Sequence, residues 1–118
     1  MAKKIYIAGP MSGYPLYNFP AFDAARDHLL GLDYTVYSPA DHDRDRGHDP
    51  TQHPEGYDWS KFPESLDKNQ TILLDVELVI NCDCIYMLDG WEKSKGALAE
   101  KAVAEWARLE VLYQTEPA

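Results

Sequence analysis

Glu100 is the residue with the most chemical promise in this chain, because of what precedes it. An apolar, strand-like run, Ile85-Tyr86-Met87-Leu88, passes through Asp89-Gly90 into a helical pattern that opens at Ser94-Lys95-Gly96-Ala97. Glu100 falls just behind that helix start, among the small residues Gly96, Ala97 and Ala104. A strand, a glycine turn and a helix start form a ready anion site, since free backbone N–H groups and the helix dipole point the same way. A carboxylate behind such a site, with little bulk beside it, can reach a bound ligand. This is the layout of a sugar-phosphate pocket with a carboxylate placed for attack. The plainer alternative is a capped helix, with Ser94 at the N-cap and Glu100 solvated or paired with Lys93.

Other segments carry weaker chemistry. The loop Gly9-Pro10-Met11-Ser12-Gly13 has neither the Gly-x-Gly-x-x-Gly pattern nor a following Lys-Ser/Thr pair, so dinucleotide binding and nucleoside triphosphate hydrolysis gain no support. Asp41, Asp43 and Asp45 alternate as in a calcium loop, but Arg46 stands where glycine is required and Gln52 where glutamate is required. His42, His48 and His53 form no helix-spaced pair. No metal site is expected, and a solvated charge run explains the segment. Arg44 and Arg46 offer a grip on phosphate, and Tyr57 and Trp59 offer faces for a base, if they do not simply re-enter the core. Cys82 and Cys84, two apart in an apolar run, would share one face of a strand as buried free thiols.

The elements that must position these groups read clearly. Lys3–Ala8 is a short buried strand, and Phe19, Phe22, Ala25, Leu29 and Leu30 mark a helix running to Leu32. Tyr34–Ser38 is a second strand ended by Pro39. Residues 40 to 63 read as a long acidic loop, of a length often used as a lid. A helix follows over Ser65–Ile80 with Ile72, Leu73, Val76, Val79 and Ile80 as its inner stripe. Then come a strand over Cys82–Leu88, a helix over Ser94–Arg108 and a last short strand over Leu109–Tyr113, whose Leu112 and Tyr113 form an exposed apolar end. Strands alternating with helices predict a parallel sheet covered on both faces. The expectation is one α/β domain over residues 1–118, a three-layer sandwich with a flavodoxin- or Rossmann-like sheet of four to five strands. Ligands of such sheets bind at the carboxyl ends of the strands. The loops after the first strand, after Tyr37 and after Leu88 should therefore meet.

The formal net charge of −9 argues against nucleic acid as a partner. No signal peptide and no membrane-length apolar run is visible, and a cytoplasmic location is expected.

With the spacing laid out, the chain resembles the nucleoside 2-deoxyribosyltransferase superfamily, and within it a short phage and bacterial branch of unassigned activity. The matching pieces are Ile5-Tyr6-Ile7-Ala8-Gly9-Pro10, Asp75, Cys82-Asp83 and Ser94-x-Gly96-x-x-x-Glu100. The resemblance implies that Glu100 is a nucleophile toward the anomeric carbon of a 2-deoxyribosyl group and that Asp75 handles protons at the leaving base. Ser94 stands where transferases of free nucleosides carry an acid for the 5′-hydroxyl, and a serine there is similar to the branch that hydrolyses nucleoside 5′-monophosphates. A carboxylate would repel the phosphate, whereas a hydroxyl can donate to it. Ser12 and the N–H groups of Gly9, Met11 and Gly13 would complete the phosphate grip, with Tyr6 near the sugar. The implied partners are a small nucleotide or nucleoside and, because superfamily members share sites between subunits, a second copy of the chain as a homodimer or larger. No cofactor is implied. Residues 114–118 show no clear match to the group that a neighbouring subunit lends, and Asp75 also reads as a buried capping residue.

Two other classes of function fit the same residues. A nucleotide-binding or sensor module would use the same loops without needing Glu100. A phage interaction protein would use Asp41, Asp43, Asp45 and Asp49 against a basic partner.

Overall fold

The computed structural model describes residues 2–11, 13–45 and 68–115, with backbone alone for 68–71. Four strands, β1 (Lys4–Ala8), β2 (Thr35–Tyr37), β3 (Cys84–Met87) and β4 (Glu110–Tyr113), form one sheet in the order β2-β1-β3-β4. Every pairing is parallel, with Ile5 opposite Val36 and Cys84, and Ile85 opposite Val111. Four α-helices connect or follow them: α1 (Phe19–Gly31), α2 (Pro39–Asp45), α3 (Lys68–Ile80) and α4 (Lys95–Trp106).

The sequence dictates the two faces by simple alternation. In β1, Ile5 and Ile7 pack into a cluster with Phe19, Phe22, Ala25 and Leu29 of α1 and Ala40 of α2. Tyr6 and Ala8 point the other way, into a cluster with Val79 of α3 and Ala97 and Ala104 of α4. The same two-residue period sends Cys84 to the first face and Ile85 and Met87 to the second. Helices on both faces of a parallel sheet make the three layers. The chain leaves β1 toward β2 on one side and returns past it to β3 on the other. The topological switch therefore lies between β1 and β3, at their carboxyl ends.

Several local expectations need correction. Residues 39–45 are helical; Pro39 does not merely end a strand but opens α2, where its fixed φ suits the first turn and its missing N–H costs nothing. The remainder of the acidic stretch, with Arg46, His48, Asp49, Tyr57 and Trp59, lies outside the described residues. In α3 only Val79 of the expected inner stripe is buried, while Ile72, Leu73 and Ile80 are exposed, together with Leu74. That helix is apolar around most of its circumference, so sequence periodicity alone cannot choose its inner face. Cys82 and Cys84 do not share a face: Cys82 precedes the strand and packs on the α3–α4 side, whereas Cys84 faces α1. Both are buried free thiols, and burial pushes Cys82 up to about 11. Leu112 and Tyr113 are half-buried against the two clusters and form no exposed end.

Candidate functional site

The middle of β1 and the first turns of α4 meet at the site. Tyr6 is fully buried, and its phenol Oη donates to Glu100 Oε2 at 2.5 Å. The bond spans 94 residues of sequence and fixes the carboxyl of a half-buried glutamate. Burial, then the nearby charges of Asp75 and Asp43, raise Glu100 to about 8, against the lowering effect of the Tyr6 hydrogen bond. Burial likewise holds Tyr6 well above its ordinary value, reinforced by Glu100 and Asp75, so it remains a donor at physiological pH. The alternative of a solvated Glu100 paired with Lys93 is not what the structure shows.

Asp75, half-buried on α3, is thus electrostatically coupled to Glu100 from the neighbouring helix. A cavity of about 370 Å³ opens between α2 and α3, lined among others by Asp75, Leu74, Leu78 and Asn81 from one side and His42 and Asp43 from the other. Asp43 was not among the expected site residues. Its acidic neighbours suggested a solvated run or, in the alternative reading, a surface for a basic partner, and nothing local in the sequence reveals that α2 turns it toward α3.

The N-terminus of α4 is capped by Ser94, whose Oγ accepts from the Ala97 N–H at 3.1 Å. The hydroxyl proton of that serine is left to donate elsewhere. Gly96, in the exposed first turn, has no steric need to be glycine, since an added Cβ would meet only Ser94 Oγ, at 4.0 Å.

The loops after β1 and β3 are pressed together at the switch point. A Cβ on Gly9 would lie 2.7 Å from Leu88 Cβ, and the Leu88 N–H donates to Ala8 O at 2.8 Å. Gly90, at φ +90°, sits 2.9 Å from Tyr14 Oη by the same measure. Each loop is glycine where the other approaches. Gly13 takes φ +82° with open space around it, and Met11 turns its side chain onto the α1-side core. Beyond Gly13 the chain makes three successive left-handed residues, Leu16, Tyr17 and Asn18, held in part by Asn18 Nδ2 donating to Pro10 O at 2.9 Å. Ser12 lies outside the described residues.

Gln114, given no role by the sequence, supports the β3 loop. Its side chain accepts from the Asp89 N–H at 2.9 Å, and its own N–H donates to Met87 O at 2.9 Å. Arg44 does not reach toward a ligand but grips Asp23 and Asp41, and Asp41 is further bound by Arg26. Among the described residues no group of three His, Cys, Asp or Glu side chains is placed to hold a metal ion. The site as a whole is a carboxyl fixed by a phenol, a second acid near it and a helix N-terminus in front.

Fold and site together define a doubly wound parallel α/β domain in which a phenol–carboxyl pair joins the middle of β1 to α4. Residues 3–113 match the family described as Domain of unknown function (DUF4406), and the chain belongs to that family. Among solved structures it is similar to a "2-desoxiribosyltransferase from Leishmania mexicana", with a TM-score of 0.63 and 18% identity. The match covers 94% of this chain and 63% of that one. The fold is thus that of a nucleoside 2-deoxyribosyltransferase-like protein. No curated protein matches the chain. Among the described residues no helix is long and apolar enough to cross a membrane.

Proposed function

We propose that the chain cleaves the N-glycosidic bond of a (deoxy)nucleoside 5′-monophosphate, or of the free nucleoside, by hydrolysis or base exchange. The observation that carries this reading is the Tyr6–Glu100 hydrogen bond, which holds one carboxyl oxygen and leaves Oε1 for the ligand. In the reaction Glu100 Oε1 attacks the anomeric carbon as the bond to the base nitrogen breaks. The electron pair leaves with the base, which takes its proton from Asp75 after Asp75 has picked one up from solvent. The Asp75 carboxylate so formed accepts the proton that the incoming nucleophile releases in the second step. Water, or a second base, then displaces Glu100 from the sugar and restores the carboxylate. Ser94 and the α4 N-terminus receive the 5′-phosphate together with the N–H groups of Gly9, Met11 and Gly13, and Gly96 leaves room for its approach. Ser12, outside the described residues, is carried as a further phosphate ligand on the sequence pattern alone. Tyr6 lies beside the sugar.

The attacking form is the carboxylate, and Glu100 titrates at about 8 in the free protein. Turnover is therefore expected to rise with pH through that region until substrate binding displaces the equilibrium. The same property favours a second reading, a binding module in which a neutral Glu100 donates to a nucleotide without attacking it. We further propose a homodimer or larger assembly, supported by the exposed Ile72, Leu73 and Ile80 of α3 and Leu98 and Trp106 of α4. A cytoplasmic setting suits the two free thiols.

The decisive experiment incubates the protein with deoxy- and ribonucleoside 5′-monophosphates and free nucleosides, with and without an acceptor base, and reads released base by chromatography. Base released by the wild type and lost in Glu100→Ala supports the enzyme. Thermal stabilisation by a nucleotide with no product over hours supports the binding module and removes the nucleophile assignment.

A further inference from the structure

The ion pairs between α1 and α2 do more than decorate the surface. Arg44 holds both oxygens of Asp23, Nη2 to Oδ2 at 2.6 Å and Nη1 to Oδ1 at 2.9 Å, and its guanidinium lies 4.7 Å from the centre of the Phe19 ring. Asp41, one turn back along α2, accepts from Arg26 at 2.6 Å and from Arg44 at 3.3 Å. The described residues of α2 are charged or small and bring little apolar surface of their own to hold the helix in place. Among the described residues its principal helix contact is with α1, and the buried Pro39 and Ala40 lie in its first turn. The other side of α2 presents His42 and Asp43 to the cavity shared with Asp75.

We propose that Arg44 is a positioning residue: its two-oxygen grip on Asp23 locks α2 against α1 and so fixes the Asp43 carboxylate on the cavity wall it shares with Asp75. The groups that then act on Glu100 are Tyr6 from β1, Asp75 from α3 and Asp43 from α2. The consequence for catalysis rests on the reading of Glu100 given above, but the positioning itself does not.

The sign of one measurement separates positioning from simple electrostatics. Removing a cation raises the pKa of a nearby carboxyl by through-space attraction lost, whereas releasing a nearby anion lowers it. Glu100 is followed by carbon-13 NMR of carboxyl-labelled protein across pH, in the wild type, Asp43→Asn, Arg44→Gln and Arg44→Lys. Asp43→Asn is expected to lower the Glu100 midpoint, since it removes a charge that raises it. Arg44→Gln should lower it too, although it removes a positive charge. Arg44→Lys keeps the charge without the fork and should fall between the two. A midpoint that rises or stands still in Arg44→Gln, or that ignores Asp43→Asn, overturns the proposal. If Arg44→Gln unfolds, the lysine variant carries the same test. The pH profile of base release, measured in parallel with a deoxynucleoside 5′-monophosphate panel, keeps the two readings apart. An NMR shift without any base release leaves the lock standing and removes the enzyme; base release with an unmoved midpoint does the reverse.

Discussion

Glu100 concentrates a conflict between stability and chemistry. Below about 4.5 the carboxyl is protonated in both the folded and the unfolded chain. Between there and about 8 the unfolded chain ionises while the folded one retains its proton, so folding loses stability as pH rises. Glu100→Gln removes that penalty. Its Tm should exceed that of the wild type at pH 8 and above, with the gap closing toward acid, while base release is lost; equal melting curves at both extremes would contradict the assignment. Ser94 separates two roles in one substitution. Ser94→Asp keeps an N-cap acceptor and thus the stability of α4, whereas Ser94→Ala should cost about 1 kcal/mol. The aspartate should depress use of monophosphates relative to free nucleosides, read as the ratio of kcat/KM values. Gly96→Ala should raise stability by up to about 1 kcal/mol, since glycine weakens a helix and no neighbour objects to a methyl. It should weaken nucleotide binding if that open space belongs to the ligand. The spacing of Ser94 and Glu100 was legible in the sequence because a cap and its helix are local. The Tyr6–Glu100 bond was not, since no pattern within one segment reports a partner 94 residues away.

Strands and most helices announced themselves through period and punctuation; their ends shifted by a residue or two, save the expected start of α3 at Ser65, which lies outside the described residues. The run Ile5-Tyr6-Ile7-Ala8 read as a buried strand, and the structure sends its alternate residues to the two faces of the sheet. α2 was hidden because its residues are charged or small and it is held by ion pairs to α1, which leave no hydrophobic period to read. α3 failed in the opposite way, being apolar on too many sides. The glycine loops permit a sharp test at this scale. Gly9→Ala drives a methyl against Leu88 and should destabilise by about 1–3 kcal/mol in urea denaturation. Combining it with Leu88→Gly, which removes the Cβ that the new methyl meets, should cost less than the two separate losses added together.

For the molecule as a whole, the parallel order β2-β1-β3-β4 follows from helices and strands that alternate along the chain. What sits on its outside was less legible. Ile72 and Leu73 are about half exposed and Trp106 is 87% exposed, on two helices that pack side by side. Sedimentation of the wild type should show a dimer or larger species, and Ile72→Lys with Leu73→Lys should shift it toward the monomer. A wild type that sediments as a monomer at high concentration would exclude the assembly.

The paired glycine contacts also bear on evolution. Because Gly9 meets Leu88 and Gly90 meets Tyr14, the two loops at the switch point are mutually constrained in shape. A descendant adapting to another ligand has little freedom to remodel either one alone. Change at the switch point is expected instead as paired substitutions, one in each loop, with a small residue on one side answering a larger one on the other.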